Sequence, residues 1–257
     1  MVHFVGAGPG AKDLITIRGK EIIENADVII YAGSLVNPAL LDYAKESADI
    51  YDSSKLNLNE VIEIIKAAEK EGKTTVRLHT GDPCIFGATR EQMDILDKEN
   101  IAYDTTPGVS SFCGAAASLD MEYTLPGITQ SVIITRMEGR TKVPEKESVE
   151  ALASHGATMV FFLSAGDTER LSERLIAGGV DEDTPCAIVY KATWPDEKKL
   201  VCKLKELPDK AKENGITKTA LIIVGKAVAQ NGYELSRLYA PEFTTGYREG
   251  CTNKQNY

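Results

Sequence analysis

No stretch of this chain approaches the roughly 20 consecutive apolar residues a membrane helix needs, and its first residues lack the basic start and long apolar run of a secretory signal. Both absences predict a cytoplasmic protein without a membrane partner. Cysteine is sparse: Cys84, Cys113, Cys186, Cys202 and Cys251 are odd in number, widely spaced and never arranged as C-x-x-C. That argues against a disulfide framework and against a structural zinc site, so no protein-bound metal is expected. Basic residues are outnumbered, 29 against 38 acidic ones, for a net charge of −9. Such a surface repels a phosphate backbone, so nucleic acid is not an expected partner. Internal repeats and low-complexity tracts are absent as well.

What the chain does have is 257 residues, 43% of them apolar, enough to fill one large core or two modest ones. Three times in the first 110 residues an apolar strand-type run enters a Gly/Pro loop: VHFV into Gly6-Ala7-Gly8-Pro9-Gly10, TVRL into HTGDPCIFG, and AYDT into TPGVSS. Glycine permits positive φ and close backbone approach, while proline fixes φ and removes a donor. Strand-type runs near 2–5, 27–31, 48–51, 74–78 and 102–105 alternate with helical patterns near 13–25, 38–46, 57–71 and 88–99, which predicts a parallel sheet. In such a sheet the three loops leave the carboxyl ends of strands, where ligands bind.

A small-residue helix near 109–119 leads into Asp120-Met121-Glu122-Tyr123-Thr124-Leu125-Pro126-Gly127, a hinge-like stretch. We therefore expect an N-terminal α/β domain over 1–120, a C-terminal α/β domain over 121–240 and a peripheral tail over 241–257. In the second half, runs at 131–136, 158–163, 186–193, 199–204 and 219–225 alternate only partly with helices near 147–155 and 168–177, which predicts a mixed sheet.

The first loop is spaced G-x-G-x-G and lacks the last glycine of G-x-G-x-x-G, which disfavours NAD; no G-K-[ST] ending marks a P-loop. Taken alone it is equally a tight strand-to-helix turn. Asp82 either caps or organises the turn before the next helix or lines a ligand pocket, and Ser110 either caps a helix or touches ligand.

With VGAGPG…DLIT, TGDPCIFG and TPGVSS in hand, together with ADVIIYAGSLV, LPGITQSVIITRMEGRTKVPE, LASHGATMVFFLS and TALIIVGKAVA, the chain resembles the tetrapyrrole methylases over nearly its whole length. YAGSLV, PGITQSVIITRMEGR and HGATMVFFLS are similar to the branch that methylates carbon 11 of precorrin-4 or cobalt-precorrin-4 in cobalamin synthesis. The resemblance implies two α/β domains with S-adenosylmethionine in the cleft between them, S-adenosylhomocysteine as product, a tetrapyrrole acceptor and a homodimer. It assigns cofactor contact to Pro9, to Thr80, Gly81, Asp82 and Ile85, to Ser110 and Ser111, to Leu163, and by looser alignment to Ala192 and to Thr219, Ala220 and Leu221. The aspartate that uroporphyrinogen-methylating relatives carry after the second-strand tyrosine is absent, since Ala32-Gly33-Ser34 follows Tyr31.

For the proton that must leave the methylated ring the candidates are Asp82, Glu138, His79 and His155, the last better suited to ending a helix before Gly156. The acceptor's carboxylates call for arginine. Arg136 and Arg140, in the basic run Arg136–Lys142, are the main choices, with Lys142, Arg77 and Arg90 behind them. Met93, Met121, Met137 and Met159 are read as core fillers. Competing readings are another ring position, a ribosomal RNA or diphthamide-pathway methylase on the same fold, and a nucleotide-binding module without catalysis.

Overall fold

The computed structural model describes residues 1–139 and 141–251. Two five-stranded sheets carry the chain. In the first, β1 (Val2–Gly6), β2 (Val28–Tyr31), β3 (Asp49–Asp52), β4 (Thr75–His79) and β5 (Tyr103–Thr106) lie in the order β3-β2-β4-β1-β5, with every pairing parallel. In the second, β6 (Val132–Arg136) runs parallel to β7 (Thr158–Phe162), while β10 (Ala220–Val224) is antiparallel to β7 and to β8 (Pro185–Tyr190), and β8 is antiparallel to β9 (Lys198–Lys203). The second sheet is therefore mixed, as the helix-free link between β8 and β9 implied.

Side chains alternate across each strand, and the central strands of both sheets are covered by apolar packing on both faces. Val2, Phe4, Val28 and Ile30 pack under α2 (Leu58–Lys70) and α3 (Arg90–Glu99), whereas Val5, Ile29, Val76 and Leu78 face α1 (Ile17–Asn25) through Ile23. The amphipathic pattern of α2 puts Val61, Ile62, Ile65 and Ala68 inward, and a reciprocal Asn57–Glu60 capping box starts it. In the second sheet Met159, Phe161, Ile188 and Ile222 meet Leu171 and Leu175 of α6 (Thr168–Ala177) and Leu207 and Ala211 of α7 (Leu207–Glu213), beside the short α5 (Val149–Ala153). Its other face, with Val160, Val189, Leu221 and Ile223, is covered by α4 (Ser111–Ser118) through Ala115. A helix that follows the last strand of the first sheet thus roofs the second.

Three local expectations differ from the structure. The span 38–46 is not an α-helix but a 3-10 segment, Pro38–Tyr43, opened by Pro38 and closed where Ala44 turns extended. The span 13–25 splits, because Thr16 takes extended angles and its side chain accepts from Gly19 N to cap α1. Helix α7 escaped the pattern because charged residues dominate it and only Leu207 and Ala211 are buried. Met121, Met137 and Met159 lie in the core, as read. Among the described residues no helix is long and apolar enough to cross a membrane.

Candidate active site

The three Gly/Pro loops converge by direct backbone contact. Gly8 and Gly81 form a two-way bridge, Gly8 N donating to Gly81 O at 3.2 Å and Gly81 N to Gly8 O at 2.8 Å. A Cβ on Gly108 would lie 2.2 Å from the Gly81 carbonyl oxygen, and one on Gly6 would lie 2.5 Å from Gly108 N. Only glycine allows the loops after β1, β4 and β5 to stack this closely. Asp82 then ties the loops after β4 and β5 together: Oδ1 accepts from Cys84 N of its own loop at 2.8 Å and Oδ2 from Gly108 N at 2.9 Å. Partial burial pushes its carboxyl pKa up, but those hydrogen bonds outweigh it and hold the group below the usual carboxylate range. Asp82 caps no helix, since α3 begins after Thr89.

The loops also meet the second sheet. Ala11 N donates to Thr193 Oγ1 at 2.9 Å, and a Cβ on Gly10 would strike the Trp194 ring at 2.1 Å. Pro9 packs on Gly114 of α4, where a Cβ would come within 2.6 Å of the proline. Between the sheets lies a cavity of about 430 Å³. Pro9, Thr80, Gly81, Asp82, Ile85, Ser110 and Ser111 line its N-terminal side, and Leu163, Ala192, Thr219, Ala220 and Leu221 line the other. All twelve residues singled out for cofactor contact thus share one enclosure. Ser110 occupies the first position before α4 but makes no capping hydrogen bond, so its hydroxyl is free of that duty.

Other wall residues were not singled out, among them Leu35, Phe86, Phe162, Lys191, Trp194 and Thr217. Phe86 and Phe162 meet with centroids 5.3 Å apart and their ring planes tilted by 49°. Backbone strain marks part of this wall: Phe86, Leu163, Lys191 and Thr219 all have φ between 48° and 55° without being glycine. Leu163 is 70% exposed, an apolar side chain turned into open space. Strain of this kind leaves no periodicity in a sequence.

A trough of about 600 Å³ adjoins the cavity at Phe86, Leu163 and Gly166 and is lined by Arg136, Met137 and Glu138. Arg136 spends its guanidinium on main-chain oxygens, Nη1 on Met137 O and Thr141 O and Nη2 on Lys142 O. Arg140 lies outside the described residues. Glu138 pairs with Arg170 at 2.5 Å and with Arg174, and the Arg174 hydrogen bond holds its carboxyl below the usual range. His79 lines neither space; it is buried against Phe4, and burial with the nearby Arg77 charge pushes its imidazole down to about 3. Neither Asp82 in the cavity nor Glu138 in the trough is a free base, since each carboxylate is held by the partners just named. His155 ends α5 beside Gly156, which has φ +64°, and Arg90 pairs on the surface with Asp94 and Asp97.

A family model described as Tetrapyrrole (Corrin/Porphyrin) Methylases matches residues 1–208. Cobalt-precorrin-4 C(11)-methyltransferase of Methanocaldococcus jannaschii is 52% identical over 248 residues, covering 96% of each chain. The Priestia megaterium protein of the same name is 43% identical, over 98% of this chain and 99% of its own. Among solved structures, the cobalt precorrin-4 methyltransferase CbiF superposes with a TM-score of 0.86 at 44% identity, over 88% of this chain and 95% of that one. The fold is shared with a uroporphyrin-III C-methyl transferase from Thermus thermophilus complexed with S-adenyl homocysteine, at TM-score 0.76 and 23% identity, over 90% of this chain and 99% of that one.

Proposed function

Because the chain belongs to the tetrapyrrole methylases, we propose that it transfers the methyl group of S-adenosylmethionine to carbon 11 of cobalt-precorrin-4, or of metal-free precorrin-4, in cobalamin synthesis. The observation that carries this reading is the joining of a half-open cavity between the two sheets to a larger trough at the Phe86 and Leu163 edge. Its volume of about 430 Å³ lies within the range of small-molecule sites, and its walls are apolar with a few convergent polar groups, which suits a nucleoside with an amino-acid tail. Thr80, Gly81, Asp82, Ser110, Ser111 and the Thr219–Leu221 run would hold that molecule. When bound, it supplies a methyl group already activated on a sulfonium.

The chain's own contribution is placement. The Gly6–Gly81–Gly108 stack fixes the cavity floor, and Asp82 locks two loops with both carboxylate oxygens. Phe86 and Phe162 offer an aromatic edge where the trough begins. Holding the ring carbon and methyl group at roughly 3–3.5 Å with aligned orbitals contributes up to about 7–11 kcal/mol to rate enhancement. An electron-rich ring carbon can attack before it loses a proton. As the carbon–carbon bond forms the carbon–sulfur bond breaks, and the ring's proton leaves afterwards. The absence of an aspartate after Tyr31 is compatible with that order.

A homodimer acting in the cytoplasm is the reading for assembly and location, supported by family membership and by the exposed apolar Leu235, Leu238, Tyr239 and Phe243. Incubation with precorrin-4, metal-free and cobalt-bearing in parallel, and a ¹³C-methyl donor tests the reaction. A single label on carbon 11 is expected. A label elsewhere, or none in folded protein that binds the donor, overturns the assignment.

A further inference from the structure

A second cavity, of about 270 Å³, opens beside the donor cavity and shares Leu35, Thr80, Ile85 and Phe86 with it; Phe86 and Ala88 link it to the trough. Its floor is polar and buried. Arg77 and His79 stand two residues apart on β4 and so point to the same face, while Val76 and Leu78 fill the opposite core. Arg77 is 7% and His79 6% exposed, and Gln92 of α3 lies beside them.

None of these groups has an acidic partner. Arg77 Nε donates to Gln92 Oε1 and Nη1 to Ile30 O, both at 3.1 Å, and both acceptors are neutral. Its Nη2 makes no hydrogen bond and no carboxylate lies within ion-pair distance, among the described residues. His79 Nε2 is buried without a partner. A guanidinium withdrawn from water and left without an anion is costly, and so is an unpaired buried ring nitrogen. Burial lowers Arg77 to about 10, and His79 is neutral at pH 7, able to donate from Nε2. Glu91 stands exposed at the rim, with Ser53 and Asn57.

We propose that this cavity is a carboxylate subsite, in which Arg77 and His79 receive one acidic arm of the acceptor macrocycle while its ring lies in the trough. The assignment rests on the acceptor reading above. Of the two described arginines that line the trough, Arg136 already serves three main-chain carbonyls and Arg170 is paired with Glu138, whereas Arg77 keeps Nη2 free for an anion. An acetate or propionate arm passing Phe86 would meet a charge-assisted donor and a neutral one, the pairing such a group seeks.

The chain has three histidines, His3, His79 and His155, so ¹⁵N-histidine labelling gives a spectrum with few imidazoles. The protein is saturated with S-adenosylhomocysteine, which cannot donate a methyl group, and titrated with the form of precorrin-4 that it methylates; sodium acetate is titrated separately. The acceptor is expected to move the His79 Nε2 resonance and leave His3 and His155 in place. Arg77→Lys and His79→Leu are expected to weaken acceptor binding at least tenfold and fivefold, with S-adenosylhomocysteine affinity unchanged. An unmoved His79 resonance in acceptor-saturated wild type overturns the subsite, as does unchanged acceptor affinity in a folded variant. A response to acetate but not to the acceptor also overturns it. Where a variant does not fold, the wild-type spectrum decides. Wild type that binds and methylates no precorrin-4 would instead overturn the acceptor reading itself.

Discussion

His79 sets a pH dependence of stability through its burial. Its folded pKa of about 3 lies below the ordinary 6.5, so between those values the unfolded chain binds a proton that the folded chain refuses. Stability is therefore fully present above 6.5 and falls as pH drops through the window towards 3. Denaturation midpoints of the ligand-free protein should decline from about pH 6.5 to 5, and His79→Leu should flatten the decline; parallel slopes would contradict the burial argument. Asp82→Ala strands the amides of Cys84 and Gly108, a loss of about 1–3 kcal/mol in loop order, and should weaken S-adenosylhomocysteine binding about tenfold or more by calorimetry. Arg136→Ala should instead raise the acceptor KM and leave donor affinity alone, because its guanidinium braces the loop through Lys142. That these residues gather at one cavity was legible because glycine, proline and hydroxyl residues follow strands in recognisable loops and the resemblance named the remainder. Leu163, Phe86 and Lys191 show what sequence hides. Their positive φ is imposed by tertiary packing, and only the resemblance pointed to Leu163.

At the scale of elements, glycine contacts rather than side chains hold the site together. Gly108→Ala would drive a Cβ into the Gly81 carbonyl and the Gly6 backbone, where nothing flexible can yield. Donor binding should drop below detection while circular dichroism stays α/β; retained affinity would show that the loops need not stack. The core answers to a different rule. Ile65 is fully buried on α2, and Ile65→Ala should cost about 2–5 kcal/mol in urea denaturation. Strong periodicity made α2 and the strands readable. The 3-10 segment at Pro38–Tyr43 was misread because its apolar spacing imitates a helical turn, and α7 was missed because its few buried positions sit among charges.

At the scale of the molecule, neither sheet makes the site alone. The N-terminal loops supply the floor, Trp194 and the Thr219–Leu221 run close the far wall, and α4 crosses from the end of the first sheet to the back of the second. Sequence order showed the parallel and mixed sheets, since βα alternation and its failure are both visible along the chain. How closely the halves engage was not visible, because it depends on Gly10 against Trp194 and Ala11 against Thr193, contacts separated by up to 184 residues along the chain. In the proposed reaction that engagement sets donor beside acceptor, and a crystal structure of the protein with S-adenosylhomocysteine and precorrin-4 measures it directly. The sulfur should sit in the cavity walled by Gly81 and Leu221, with carbon 11 in the trough facing it past Phe86, close enough for one methyl group to span the gap. A sulfur bound outside that cavity, or a macrocycle held on another face of the protein, would contradict the account.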